Sequence, residues 1–163
     1  PIVVAVALLV GGVVLLVLEW REREVRFEHA VQAGYGCAFA VGLFQCLAMI
    51  PGTSRSAATI IGGMALGASR AAAAEFSFFL AIPTMLGATT LKLVKGGAAF
   101  TGKQWALLAV GSVVSFAVAY AVVAFLMNYI RRHDFKVFGY YRIALALAVL
   151  AYFLFIGFEN QGL

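Results

Sequence analysis

The sequence predicts an all-α integral membrane protein: transmembrane helices plus one re-entrant helix-loop-helix hairpin. Three observations carry this. Of 163 residues, 64% are hydrophobic and 12% are charged, where a soluble domain carries about 25% charged residues. Mean hydropathy is +0.99. The apolar residues also collect into runs, several near the ~20 residues a crossing needs, separated by short charged connectors. The net charge of +5 does not argue for nucleic acid, because Lys and Arg lie in short connectors, where they orient a membrane protein.

Residues 1–18 form the first crossing, with Gly11-Gly12 in its middle to permit close helix packing. The chain opens Pro1-Ile2-Val3 inside this apolar run without a methionine, so it is expected to be part of a longer protein. No basic n-region or cleavage site marks a signal peptide. Residues 19–32 are a charged connector in which Arg21, Arg23 and Arg26 face Glu19, Glu22, Glu24 and Glu28. It reads as a solvated amphipathic helix with i,i+4 pairs, and His29 as a surface residue.

Residues 33–68 form the hairpin. Its apolar limbs, 38–50 and 60–68, are each too short to span a bilayer comfortably. Between them lies Pro51-Gly52-Thr53-Ser54-Arg55-Ser56-Ala57-Ala58-Thr59. Pro51 and Gly52 break the first limb. Ser54 or Thr53 can N-cap the second, leaving its first N–H groups free. A helix N-terminus favours phosphate, and Arg55 adds a planar fork of donors that matches phosphate bidentately. The commonplace alternative is a solvated loop, but apolar flanks on both sides leave none at hand, and a charge there marks a functional site. Gln45 faces the hairpin interior, either to orient Arg55 or a phosphate, or to join helices. Cys37 and Cys46 read as small buried apolar residues.

Residues 71–158 hold three further crossings, at 71–93, 104–130 and 140–158. Pro83 should kink the first of these and free the Phe79 carbonyl. Glu75, near its start, reads as interfacial, with a salt bridge to Arg70 or Arg55 as the alternative. The connector 92–103 carries Gly96-Gly97. In the basic turn after residue 130, His133 and Asp134 read as solvated, and Tyr140, Tyr141 and Arg142 as interfacial anchors of the last helix. A re-entrant hairpin puts eight Lys/Arg on one side and three on the other, with Arg55 in the membrane. The eight belong in the cytoplasm, and the Glu159-Asn160 end faces outward.

Three motifs now occur in order: Phe44-Gln45-Cys46-Leu47-Ala48, the 51–59 segment, and Glu75-Phe76-Ser77-Phe78-Phe79-Leu80-Ala81-Ile82-Pro83. Together they resemble the undecaprenyl pyrophosphate phosphatase family of the bacitracin-resistance type, over essentially everything from Ala33 onward. The resemblance implies a multi-pass enzyme of the bacterial inner membrane. It would remove the terminal phosphate of undecaprenyl pyrophosphate and so recycle the lipid carrier of peptidoglycan synthesis. It also implies two inverted repeats, of which this chain holds the last helix of the first (1–18) and the whole second half. The family's glutamate-rich segment ending in Ser-Ser-Thr-Gly-His is absent, so the missing N-terminal half should supply acids, a histidine and a nucleophile.

On this reading Arg55 is the main electrostatic group. Gly52, Thr53, Ser56, Thr59 and Gln45 bind substrate, and Ser54 is a candidate nucleophile without an obvious base in reach. A divalent cation, Mg²⁺ or Ca²⁺, is implied by the resemblance, but the chain shows no metal ligands. The C55 tail should lie along residues 76–93 and 105–126. The partners are the bilayer, the lipid substrate and the missing half, and a homodimer is an admissible assembly. The competing class is half of a polyprenyl-phosphate transporter or flippase, since broken helices around an anion also build transporters.

Overall fold

The computed structural model describes residues 2–21, 24–96 and 100–159. Glu22, Arg23, Gly97 and Asn160, invoked above, lie outside the described residues. The helices are α1 (Ile2–Trp20), α2 (Tyr35–Cys46), α3 (Arg55–Ala65), α4 (Arg70–Gly96), α5 (Gly102–Ile130) and α6 (Lys136–Glu159), with 3-10 turns at Ala30–Gln32 and Leu47–Met49. Four of them (α1, α4, α5 and α6) contain spans long and apolar enough to cross a membrane. At about 1.5 Å per residue, α2 and α3 are less than 20 Å long.

α1 and α6 pack at close range. A Cβ on Gly12 would stand 3.0 Å from the Gly139 carbonyl oxygen and 2.9 Å from Ile143, so the two backbones approach as small residues allow. The hydrophobic core is not central. Leu15, Met64, Ala72, Ala73, Ile130 and Phe135 cluster at one end of the bundle, where α1 and α5 end and α4 begins. Beyond this end α4 and α5 diverge from the rest, and α5 is apolar and exposed along most of its length. A helix apolar on all faces is stable in lipid, not in water.

The connector departs from expectation. Its described residues form no amphipathic helix. Residues 24–29 run irregularly into the 3-10 turn, and Arg26 and Phe27 lie against the far end of the hairpin: the Arg26 N–H donates to the Gly67 carbonyl at 2.8 Å, and the Ser69 N–H to the Phe27 carbonyl at 3.0 Å. Nor is Glu19 solvated. It closes α1 with a fully buried carboxylate, which accepts from Arg70 Nε at 2.9 and 3.0 Å and from the Phe135 N–H at 3.2 Å. One side chain thereby ties together α1, α4 and the turn before α6. Arg70 is committed to Glu19, and neither alternative salt bridge of Glu75 occurs among the described ion pairs; Glu75 accepts from the Ala30 N–H at 3.2 Å and so pins the connector. His29 is exposed, as expected.

α4 continues through Pro83 to Gly96, so Lys92 and Lys95 end a helix rather than open a loop. α5 starts at a capping box between Thr101 and Gln104. Cys37 and Cys46 are free thiols, the first partly buried and the second exposed, rather than both buried. His133 stacks on Tyr129 at 4.3 Å, while Asp134 pairs with Lys136 at 2.8 Å, which holds the Asp134 carboxyl below its usual range. They do not form a catalytic pair.

Candidate functional site

The loop between α2 and α3 is built by its own sequence. Ile50-Pro51-Gly52-Thr53 closes as a tight turn, with the Thr53 N–H donating to the Ile50 carbonyl at 3.0 Å. Gly52 sits at φ +94°, the backbone that a Pro-Gly turn requires at its third position. No side chain would fit there in any case, because a Cβ would stand 2.6 Å from the Val4 carbonyl oxygen. Val4 lies sixteen residues before Trp20, about 24 Å along α1. The hairpin therefore leaves the core end of the bundle, turns beside the opposite end of α1, and returns.

Ser54 N-caps α3, its Oγ accepting from the Ala57 N–H at 3.3 Å. That leaves the N–H groups of Arg55 and Ser56 without partners inside the helix. Ser54 Oγ also lies 3.0 Å from Ser56 Oγ, and the pair forms a small hydroxyl cluster at the positive end of the helix dipole. No histidine or carboxylate meets Ser54 among the described hydrogen bonds. Thr59 is different. It is buried, and its Oγ1 donates to Ser77 Oγ at 2.8 Å and lies 3.1 Å from the carbonyls of Arg55 and Ser56. Its hydroxyl, expected to contact substrate, here joins α3 to α4.

Among the described residues, three buried side-chain polar atoms lack a hydrogen-bond partner: Gln45 Oε1, Arg55 Nη1 and Arg142 Nε. Native interiors leave few such atoms, and each needs a reason. Gln45 and Arg55 were candidates from sequence. Arg142 was not, and its reading as an interfacial anchor is corrected. The residue is 8% exposed, and its Nη2 donates to the Gly52 carbonyl at 3.4 Å. The signal was available: Phe135, Gly139, Arg142 and Ala146 are all buried, on one stripe of helical period.

The residues around the loop do not fit a divalent cation. Hydroxyls and two guanidiniums surround it, and no cluster of three His, Cys, Asp or Glu occurs among the described residues. Hard cations take carboxylate and carbonyl oxygens. The donor set suits an anion.

The family model for the bacitracin resistance protein BacA matches residues 1–148. Undecaprenyl-diphosphatase 1 of Clostridioides difficile is 60% identical over 151 residues, covering 93% of this chain and 55% of that protein. The undecaprenyl-diphosphatases of Enterococcus faecalis and Limosilactobacillus fermentum are 51% and 52% identical, covering 92% and 93% of this chain and 55% and 57% of theirs. The chain spans about half the length of the curated relatives it matches.

Proposed function

The chain belongs to the bacitracin resistance protein BacA family, and from that membership we propose that it supplies the arginine-bearing half of a membrane enzyme that hydrolyses undecaprenyl pyrophosphate. In the net reaction one water is consumed, the P–O–P bond breaks, and undecaprenyl phosphate and inorganic phosphate leave. The observation that carries this reading is Arg55: its buried Nη1 has no partner, and it stands at a helix start whose first N–H groups are free.

Phosphoryl transfer needs positioning and stabilisation of charge on the oxygens more than covalent chemistry. Arg55 grips the terminal phosphate. The Thr53, Ser54 and Ser56 hydroxyls and the free α3 N–H groups donate to its oxygens. Gly52 sets the turn, Gln45 orients the head group, and Thr59 holds α3 in place. Ser54 has no base among the described residues, so the nucleophile and its base come from the remainder of the protein. A divalent cation would have to be held by substrate oxygens and by carboxylates of that remainder.

The membrane reading follows the same logic. α2 and α3 form the re-entrant hairpin of the second of two inverted repeats, in the cytoplasmic membrane. The hairpin enters from the cytoplasmic side and presents Arg55 within the bilayer, where the positive charge calls for an anion. Hydrolysis takes precedence over the transporter alternative because the relatives are named diphosphatases.

The test is phosphate release from farnesyl pyrophosphate in detergent by the full-length protein, its Arg55→Ala variant and this chain alone. Activity confined to the unmodified full-length protein is expected. Full activity in Arg55→Ala would refute the reading.

A further inference from the structure

Arg142 is set as a binding group is set, not as a structural one. It is more than nine-tenths buried. Its one hydrogen bond among the described residues is a long contact to a neutral carbonyl, 3.4 Å to Gly52, and its Nε has none. Neither described ion pair involves it. A buried charge without a counter-charge is costly, and one weak bond to a carbonyl does not offset that. The sequence keeps room for it even so, since a Cβ on Gly11 would stand 2.8 Å from Nη2. Arg55 is only partly buried, but its buried Nη1 likewise has no partner among the described residues. The loop thus gathers two guanidiniums and no carboxylate, which matches a ligand carrying two phosphates in charge and in donor geometry.

Arg142 also stands on the wall between two cavities. One, of 320 Å³, is lined by Ser54, Ser56 and Ser77 and otherwise mostly by apolar side chains such as Phe78, Phe135 and Phe138. The other, of 520 Å³, runs between α1 and the hairpin, and apart from Thr53 and Arg142 its lining is apolar. That groove suits the hydrocarbon chain of a prenyl pyrophosphate, and the guanidinium at its end suits the phosphate that follows the ester bond. Most of the α4 and α5 surface expected to carry the tail is exposed, and of it Ser77, Phe78 and Leu126 reach the cavity of Ser54 and Ser56, whereas the α1–hairpin groove is apolar along its length and begins at a guanidinium.

We propose that Arg142 binds the phosphate nearest the prenyl chain, with the first isoprene units in the α1–hairpin groove and the outer phosphate on Arg55. The inference rests on the phosphatase reading, and the experiment separates the two. Calorimetric binding to the full-length protein uses farnesyl phosphate, which carries only the inner phosphate, and farnesyl pyrophosphate, which carries both. Arg142→Lys should lose about 10- to 100-fold in affinity for both ligands, the range for one charged hydrogen-bonding group. Arg55→Ala should lose as much for the diphosphate and little for the monophosphate. Should Arg142→Lys fold poorly, Gly11→Ala crowds the guanidinium by a single methyl and should weaken the monophosphate several-fold. Ala7→Trp, which fills the groove, should weaken farnesyl phosphate but not inorganic pyrophosphate. An Arg142→Lys or Gly11→Ala protein that binds farnesyl phosphate like the parent overturns the assignment, as does Arg55→Ala losing both ligands equally. Unchanged farnesyl phosphate binding in Ala7→Trp removes the groove as the prenyl seat. Phosphate release by the parent, measured in parallel, reads the phosphatase proposal independently of these patterns.

Discussion

Removing Arg70 should damage the protein more than neutralising Glu19, although the two form one ion pair. The reason is unequal burial: the Glu19 side chain is 0% exposed and that of Arg70 is 43% exposed. Arg70→Met leaves a buried carboxylate whose one remaining hydrogen bond among the described residues is from the Phe135 N–H, at 3.2 Å. Breaking a buried pair this way costs about 3–5 kcal/mol. Glu19→Gln leaves a guanidinium that water already reaches, so the lost Coulomb term is close to that of a surface pair, about 1 kcal/mol or less. The amide oxygen still accepts from Phe135, so the total should stay near 1–2 kcal/mol. The double variant should then be more stable than Arg70→Met alone, because it removes the stranded charge. Thermal unfolding of the full-length protein in detergent reads all four proteins. If Glu19→Gln unfolds at lower temperature than Arg70→Met, or the double variant is worst, the assignment of Glu19 as the buried clamp is wrong.

Other changes separate structure from binding. Gly52→Ala forces a side chain into φ +94° and against the Val4 carbonyl; a loss of about 1–3 kcal/mol is expected from the backbone alone, and unchanged melting would contradict the turn geometry. Thr59→Ser keeps the bond to Ser77 and should melt like the parent, whereas Thr59→Val strands the Ser77 hydroxyl and should cost about 1–3 kcal/mol. Both are read by the same melt. Arg55→Lys should release phosphate nearly as poorly as Arg55→Ala, because a point charge does not replace the planar fork; near-parental turnover would show that charge alone suffices.

The long helices were legible because hydropathy is a local property, and so was the loop, since Pro51, Gly52 and Ser54 each act on their immediate neighbours. Glu19 and Arg142 were not. Both stand near helix ends among other charged or amphipathic residues, where a surface position is the ordinary outcome. Their burial is decided by partners far along the chain, Arg70 and Phe135 for Glu19 and Gly52 for Arg142. Periodicity still carried a trace. Gly12, Leu15, Leu16 and Glu19 share the buried side of α1, as Phe135, Gly139, Arg142 and Ala146 share that of α6. The partner of Thr59 was hidden for the opposite reason: its hydroxyl looks like its neighbours in sequence, but one turn into α3 it faces Ser77. The connector misled because alternating charges suit a helix, while Phe27 and Arg26 instead find the open backbone at Gly67 and Ser69.

The central claim is that an arginine without a protein partner is there for phosphate. The most direct test is phosphate release from farnesyl pyrophosphate by the full-length protein beside its Arg55→Ala variant, at matched expression and melting temperature. The account predicts release by the first and loss of at least about 100-fold in the second, as befits removal of a charged group that grips the reacting phosphate. Equal rates in the two proteins would contradict it.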